Sequence, residues 1–168
     1  MDLYKAYCEE FEMFAAPHTY KVSFFDYISY VVLEDNGDSS EEYDGASSRV
    51  KVQVGDVVEL KEISDPDNNS FAMMKAIITH KANDGRTYAF FIFTWLEDLK
   101  RTHSTLECAQ FRLQHETNLQ WRRIFTISMV DHQQRCHFLH DCKQSCNGIQ
   151  HDQNNRNYLR NDFYFKII

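Results

Sequence analysis

Val50-Lys-Val-Gln-Val-Gly55-Asp-Val-Val-Glu-Leu60, then Phe71-Ala-Met-Met-Lys-Ala-Ile-Ile-Thr-His80, and then Asn83-Asp-Gly-Arg86 followed by Thr87-Tyr-Ala-Phe-Phe-Ile-Phe-Thr-Trp95-Leu-Glu-Asp98 decide the fold of this chain. Val50, Val52 and Val54 alternate with Lys51 and Gln53, the period-two pattern of a half-buried strand rich in β-branched residues. The alternation breaks at Gly55, which predicts a bend or bulge before Val58 and Leu60 resume it. Phe71 to Thr79 is almost unbroken apolar sequence, so this strand is expected to be covered on both faces. Asn83-Asp84-Gly85-Arg86 reads as a hairpin turn with Gly85 at positive φ. Tyr88 to Trp95 then reads as a central strand ending on the tryptophan.

Outward from that core, Leu3, Tyr4, Tyr7, Cys8, Phe11 and Phe14 recur at spacings of three and four, which predicts a short amphipathic helix ended by Pro17. Tyr20 to Leu33 reads as one or two strands, and the acidic, serine-bearing stretch Glu34 to Ser48 as a loop. Leu96 to about Gln120 is polar and reads as a helical insert. Ile124 to Val130 is a further strand, His132 to Asn157 loops around one short strand, and Phe163 to Ile168 a last strand. The expectation is a mainly β chain: a small distorted β-barrel or bent sheet with short helical insertions, because strands follow turns without regular strand–helix alternation. Residues 1–45 are expected to be an extension (helix, strand and acidic loop) packed on a domain spanning 46–168.

The totals agree with a folded domain. The chain has 168 residues with 13 Phe and 9 Tyr, enough to build a core, and its two Pro and five Gly exclude a fibrous or low-complexity protein. A formal net charge of −7 disfavours nucleic acid as the main ligand, which needs a Lys/Arg surplus, and suits a basic partner. Cys8, Cys108, Cys136, Cys142 and Cys146 are odd in number and irregular in spacing, unlike a secreted disulfide framework. With no signal segment and no long apolar run, the expectation is a reducing compartment and no membrane. The chain stops inside an apolar strand pattern at Asp162–Ile168, which suggests a piece of a longer polypeptide.

The order of these pieces resembles a bromo-adjacent homology (BAH) domain. The residues that carry the resemblance are Val54-Gly55-Asp56-Val57-Val58-Glu59-Leu60, Phe71-Ala72-Met73-Met74-Lys75-Ala76-Ile77, Phe93-Thr94-Trp95-Leu96, Arg123-Ile124-Phe125-Thr126-Ile127-Ser128 and Phe163-Tyr164-Phe165, together spanning about 50–168. The resemblance implies a nuclear, non-enzymatic chromatin module that docks on a histone tail, a nucleosome or other chromatin proteins, without sequence-specific nucleic-acid binding and without a cofactor. It also implies a role such as transcriptional silencing. In some members an aromatic cage binds methylated lysine by cation–π attraction. Carried over by position, Phe71 and Trp95 would be walls of such a cage, with Glu97 and Asp98 adding negative charge. Glu97 stands where some readers have a second aromatic residue, and Thr126 or Ile127 where others have a further wall. A docking domain with no methyl-lysine pocket is the alternative.

Each candidate has a plainer reading beside it. Trp95 can close the barrel as a core residue, and Phe71 can pack like any other phenylalanine. Trp121, in Gln120-Trp121-Arg122-Arg123, is a candidate partner contact or a ring capping the insert against the sheet. Cys136, His140, Cys142 and Cys146 are candidate zinc ligands, or polar-loop residues, since the Cys-x2-Cys knuckle is missing. A zinc-dependent fold or enzyme is the third alternative, and against catalysis neither a nucleophile elbow nor a phosphate loop occurs.

Overall fold

The computed structural model describes residues 2–13, 15–33, 47–60, 70–115, 123–130, 136–142 and 155–161. Helix α1 (Asp2–Phe11) is followed by strands β1 (Val22–Phe25), β2 (Tyr27–Leu33), β3 (Ser47–Gln53), β4 (Val57–Leu60), β5 (Ser70–Lys81), β6 (Thr87–Thr102), β7 (Ala109–Leu113), β8 (Ile124–Thr126), β9 (Phe138–His140) and β10 (Asn157–Arg160). The protein is mainly β, a strongly curled half-barrel sheet, as expected, with one short α-helix among the described residues.

The long hairpin β5–β6 is the spine. Ala82, Asn83, Asp84, Gly85 and Arg86 turn it, with Gly85 at φ 82° and the Ala82 amide donating to the Arg86 carbonyl at 2.9 Å. The outer edge of β5 is shared by β1, opposite residues 77–80, and β4, opposite 70–73. The outer edge of β6 is shared by β8, opposite 90–92, and β7. A bridge between Leu60 and Val130 brings the β4 end and the β8 end of the sheet together. That contact curls the sheet around a first core of Val58, Leu60, Met74, Ile77, Phe91, Phe93, Phe125 and Val130.

A bulge between Met74 and Ala76 in β5 resets the alternation. Met74 points into the first core before it and Ile77 after it. The expected bend at Gly55 docks there. Gly55 has φ 96°, its amide donates to the Met74 carbonyl at 2.8 Å, and the Met74 amide donates to the Asp56 carbonyl at 2.8 Å. The β2–β3 ribbon lays Ile28, Tyr30, Val50 and Val52 on the same core.

The other face of the spine carries two further clusters. At one end Leu3, Ala6 and Tyr7 of α1 pack on Ile78 and Phe90. At the other end Phe71 and Leu96 pack with Phe111 and Leu113 of β7. The spine is therefore buried on both faces, and each fully buried ring in it contributes roughly 1.5–3 kcal/mol.

Several expectations are corrected. The helix stops at Phe11, because Glu12 takes the left-handed conformation (φ 53°), well before Pro17. β6 continues seven residues past Trp95 to Thr102, and 109–113 is a strand, so 96–113 is a β-hairpin and not a helical insert. Phe111 and Leu113 are buried with Arg112 exposed between them, the period-two pattern that a sheet requires. Ile124 to Val130 is a strand only to Thr126, then one 3-10 turn over Ile127–Met129. The expected last strand at Phe163–Ile168, most of the acidic loop, and Phe14 lie outside the described residues. No helix among the described residues is long and apolar enough to cross a membrane.

Candidate functional site

Residues directly opposite in an antiparallel pair share a face of the sheet, and neighbours along a strand alternate. Phe71 lies opposite Leu96, and Ala72 opposite Trp95. The two expected cage walls therefore project to opposite faces of the sheet and do not line one pocket. Phe71 is 3% exposed. It meets Phe111 edge-on at 5.6 Å and Phe138 at 5.4 Å, while the guanidinium of Arg160 lies 4.9 Å from its ring centroid. Its cation–π surface is thus met by the chain's own cation.

Trp95 is half-buried on the first-core face and stands edge-on to Phe125 at 5.7 Å. Glu97, two residues along, shares that face and lies opposite Arg112 of β7. Asp98 is on the Phe71 face. Its Oδ1 accepts the Lys100 amide at 2.7 Å and its Oδ2 lies 3.0 Å from the Lys100 Nζ. Lys100 sits at φ 52°, so Asp98 holds a local kink in β6. The four expected residues split into Trp95 with Glu97 on one face and Phe71 with Asp98 on the other. Trp121 lies outside the described residues.

Three of the four candidate zinc ligands, Cys136, His140 and Cys142, are among the described residues. Among the described residues no group of three or more His, Cys, Asp and Glu side chains could hold a metal ion. The His140 Nε2 donates to the Asn155 carbonyl at 2.6 Å, and the Cys136 thiol lies 4.0 Å from a carboxylate oxygen of Glu59. Cys142 donates its amide to the His140 carbonyl. Cys146 lies outside the described residues.

One buried polar pair ties α1 to the spine. The carbonyl of Thr19 accepts from His80 Nε2 at 2.6 Å, so that nitrogen carries the hydrogen and Nδ1 accepts from the Tyr7 hydroxyl at 2.7 Å. Burial, with smaller contributions from Tyr88 and Asp84, pushes the Tyr7 phenol up to about 12. Beside it is a hollow of about 220 Å³ lined by Tyr7, Met13, Ala15, Pro17, Ala82, Asn83 and Asp84. Asn83 holds its rim: its amide donates to the Ala16 carbonyl at 2.9 Å and its oxygen accepts from the His18 amide at 2.8 Å.

The surface that sequence reasoning missed is the run Tyr20-Lys-Val-Ser-Phe-Phe-Asp-Tyr27. Tyr20 is 63% exposed, Phe24 70%, Phe25 46% and Tyr27 57%. Lys51 of β3 places its Nζ 4.5 Å from the Tyr27 ring centroid. Phe24 lies opposite Ile78 and Phe25 opposite Ile77, so these two exposed rings leave opposite faces of the sheet. The signal available beforehand was four rings in a short strand stretch without the alternation that would bury them all. Comparison with protein-family models, with curated proteins and with solved structures found no match to this chain.

Proposed function

We propose that this chain is a non-enzymatic protein-docking module of the BAH-like kind, acting in a nuclear chromatin or silencing complex, without a methyl-lysine cage at Phe71 and Trp95. The observation that supports docking is the exposure of four rings in one stretch of chain: Tyr20 before the bordering strand β1, Phe24 and Phe25 on it, and Tyr27 at the start of β2. Aromatic residues dominate the energetically important positions of protein interfaces, where each joins a large apolar ring to a small loss of side-chain freedom. The chromatin setting rests on the motif order from Val54 to Ser128. The partner on this reading is a histone tail in unmodified form, a nucleosome or another chromatin protein.

The test has two arms. Titration with histone-tail peptides, unmodified and trimethylated on lysine, is expected to show no preference for the methylated form. A preference of about tenfold or more would restore a cage. In the second arm, the wild-type chain and a Phe24→Ser/Tyr27→Ser variant are compared for binding to reconstituted nucleosomes. Binding that is present in wild type and weaker by about tenfold in the variant supports docking through this run. Equal binding, or none by either protein, overturns it.

A further inference from the structure

We infer that the hollow between the α1–β1 connection and the β5–β6 turn is a binding site for a small single-ring ligand that is neutral or cationic. The inference stands apart from the docking reading and uses none of its exposed rings. Tyr7 of α1 and Ala82 of the turn, both buried, line the hollow from the sheet side. Ala15 and the buried Pro17 line it from the connection. A larger side chain at Ala15 or Ala82 would take up part of the space. The volume, about 220 Å³, bounds the occupant. An apolar cavity of roughly 150 Å³ holds benzene, and sites for larger ligands begin at roughly 300 Å³. One ring with a short substituent is the size that fits.

The walls are tied to each other by the fold itself. The Asn83 side chain donates to the Ala16 carbonyl at 2.9 Å and accepts the His18 amide at 2.8 Å, which pins the connection to the turn. The Met13 amide donates to the Tyr7 carbonyl at 3.1 Å, and the Met13 carbonyl accepts the Cys8 thiol at 3.4 Å. The polar side chains around the space are engaged internally. Asn83 makes the two bonds above, the Tyr7 hydroxyl meets His80, and Asp84 accepts from the Arg86 amide and the Tyr88 hydroxyl. Water in such a hollow finds few partners, so an apolar group gains by displacing it. The sign of the charge comes from Asp84, the one charged side chain among the described residues that line the hollow. The Arg86 amide holds its carboxyl below the usual carboxylate range, so it is ionised at neutral pH. The Arg86 guanidinium comes only to 3.9 Å with its side chain 80% exposed, and offsets that charge weakly. An anionic ring would be repelled there, and a neutral or cationic one would not. Having accepted two hydrogen bonds, the carboxylate keeps lone pairs for an O–H or N–H on the ligand.

Benzyl alcohol, benzylammonium and benzoate share one ring and differ in charge. Each is titrated into the wild-type chain carrying carbon-13 at its methionine methyls, and the methyl resonances are followed by NMR. Met13 lines the hollow and Met74 lies in the first core. Benzyl alcohol and benzylammonium are expected to shift the Met13 methyl, and not the Met74 methyl, with a Kd of about 1 mM or tighter. Benzoate is expected to bind about tenfold more weakly or not at all. Ala15→Leu, at an exposed residue of the wall, puts a side chain into the space and is expected to weaken both ligands by about tenfold, with no fall in melting temperature. Phe24→Ser is expected to leave the affinity unchanged, which separates the hollow from adhesion to the rings of β1. Asp84→Asn is expected to bring benzoate to within about threefold of benzyl alcohol. Should Ala15→Leu not fold, the Met13 and Met74 shifts of the wild type decide the site. Unchanged binding in folded Ala15→Leu, benzoate equal to benzyl alcohol in the wild type, or loss of binding in Phe24→Ser would each overturn the inference. So would a Met13 methyl that does not move at about 10 mM benzyl alcohol. The nucleosome comparison depends on none of these outcomes, so this inference and the docking reading fail separately.

Discussion

Removing one oxygen from the chain tests whether α1 is fastened to the sheet by the buried Tyr7–His80 pair. Tyr7→Phe keeps the ring and its contacts with Phe11, Tyr88 and Phe90 at 6.0, 5.6 and 5.1 Å. It deletes the 2.7 Å hydrogen bond to Nδ1 of His80, a residue only 1% exposed. The cost is the difference between a made and an unmade buried bond. An acceptor left dry loses about 1–3 kcal/mol, more than the net worth of an ordinary hydrogen bond, because water cannot replace the lost donor. For a protein of this size that corresponds to a fall in melting temperature of roughly 2–12 °C. Urea denaturation followed by tryptophan fluorescence should show a lower midpoint with unchanged slope. The same variant has a signature at high pH. Tyr7 titrates near 12 in the folded chain against 10.0 for an unburied tyrosine. A proton held more tightly by the folded state stabilises it fully below the lower value, and that contribution is lost as pH rises through the higher one. Across that interval the wild type should lose about 2–3 kcal/mol that Tyr7→Phe never had. The two stability curves therefore converge as pH rises. Equal midpoints near neutral pH, or a difference that stays constant through the alkaline range, would refute the account of this pair.

Phe71→Ala should destabilise by about 3–5 kcal/mol, the cost of an aromatic core truncation, and a loss under about 1 kcal/mol in a urea melt would contradict its placement in the third cluster. Gly85→Ala should cost about 1–2 kcal/mol in thermal melts, because nothing lies within 4 Å of the place an added methyl would take and only the positive φ of 82° opposes it. Asp84 is held below the usual carboxylate range by the Arg86 amide, then by the Tyr88 hydroxyl and the Arg86 guanidinium. Its contribution is therefore present above the ordinary value and lost as pH falls through the lowered one, so Asp84→Asn should flatten the acid limb of the stability curve, and an unchanged limb would remove that role. Dialysis against a chelator should leave the melting temperature unchanged. A drop of several degrees would favour Cys136, His140, Cys142 and Cys146 as zinc ligands.

The parts of the fold legible in the sequence were those written in local chemistry. Gly55 and Gly85 both adopt positive φ where the turns were expected, and the unbroken apolar run from Phe71 is buried on both faces. The hairpin between them needed no tertiary information. The polarity of 96–113 suggests a helix, but its buried residues follow the period of a strand. Thr102, Cys108, Phe111 and Leu113 pair or bury as strand residues do, while the turn between the strands is held by His103, whose Nδ1 accepts the amides of Thr105 and Leu106. A histidine capping a turn leaves no pattern distinct from a polar helix. The candidate cage failed for a different reason. Phe71 and Trp95 come from adjacent strands and would meet under half of the possible registers. The choice between the halves is set by a one-residue shift between β5 and β6, and a one-residue shift moves every side chain to the other face.

The location of available rings follows from layering more than from residue type. β5 and β6 carry Phe71, Phe90, Phe91 and Phe93, and every one of these is buried: the ribbon covers one face, α1 covers one end of the other, and Phe125 of β8 and Phe111 of β7, neighbours in the curled sheet, pack beside them. A ring placed in such a strand is used by the fold, and substituting Glu97 with an aromatic residue would not reopen the covered face beside it. β1 is short, borders the sheet, and has α1 only at its Val22 end. Its phenylalanines pair in register with Ile77 and Ile78, yet remain open to solvent where the layer above stops. A fold of this construction leaves rings exposed at the border strand and commits those of its spine to the core.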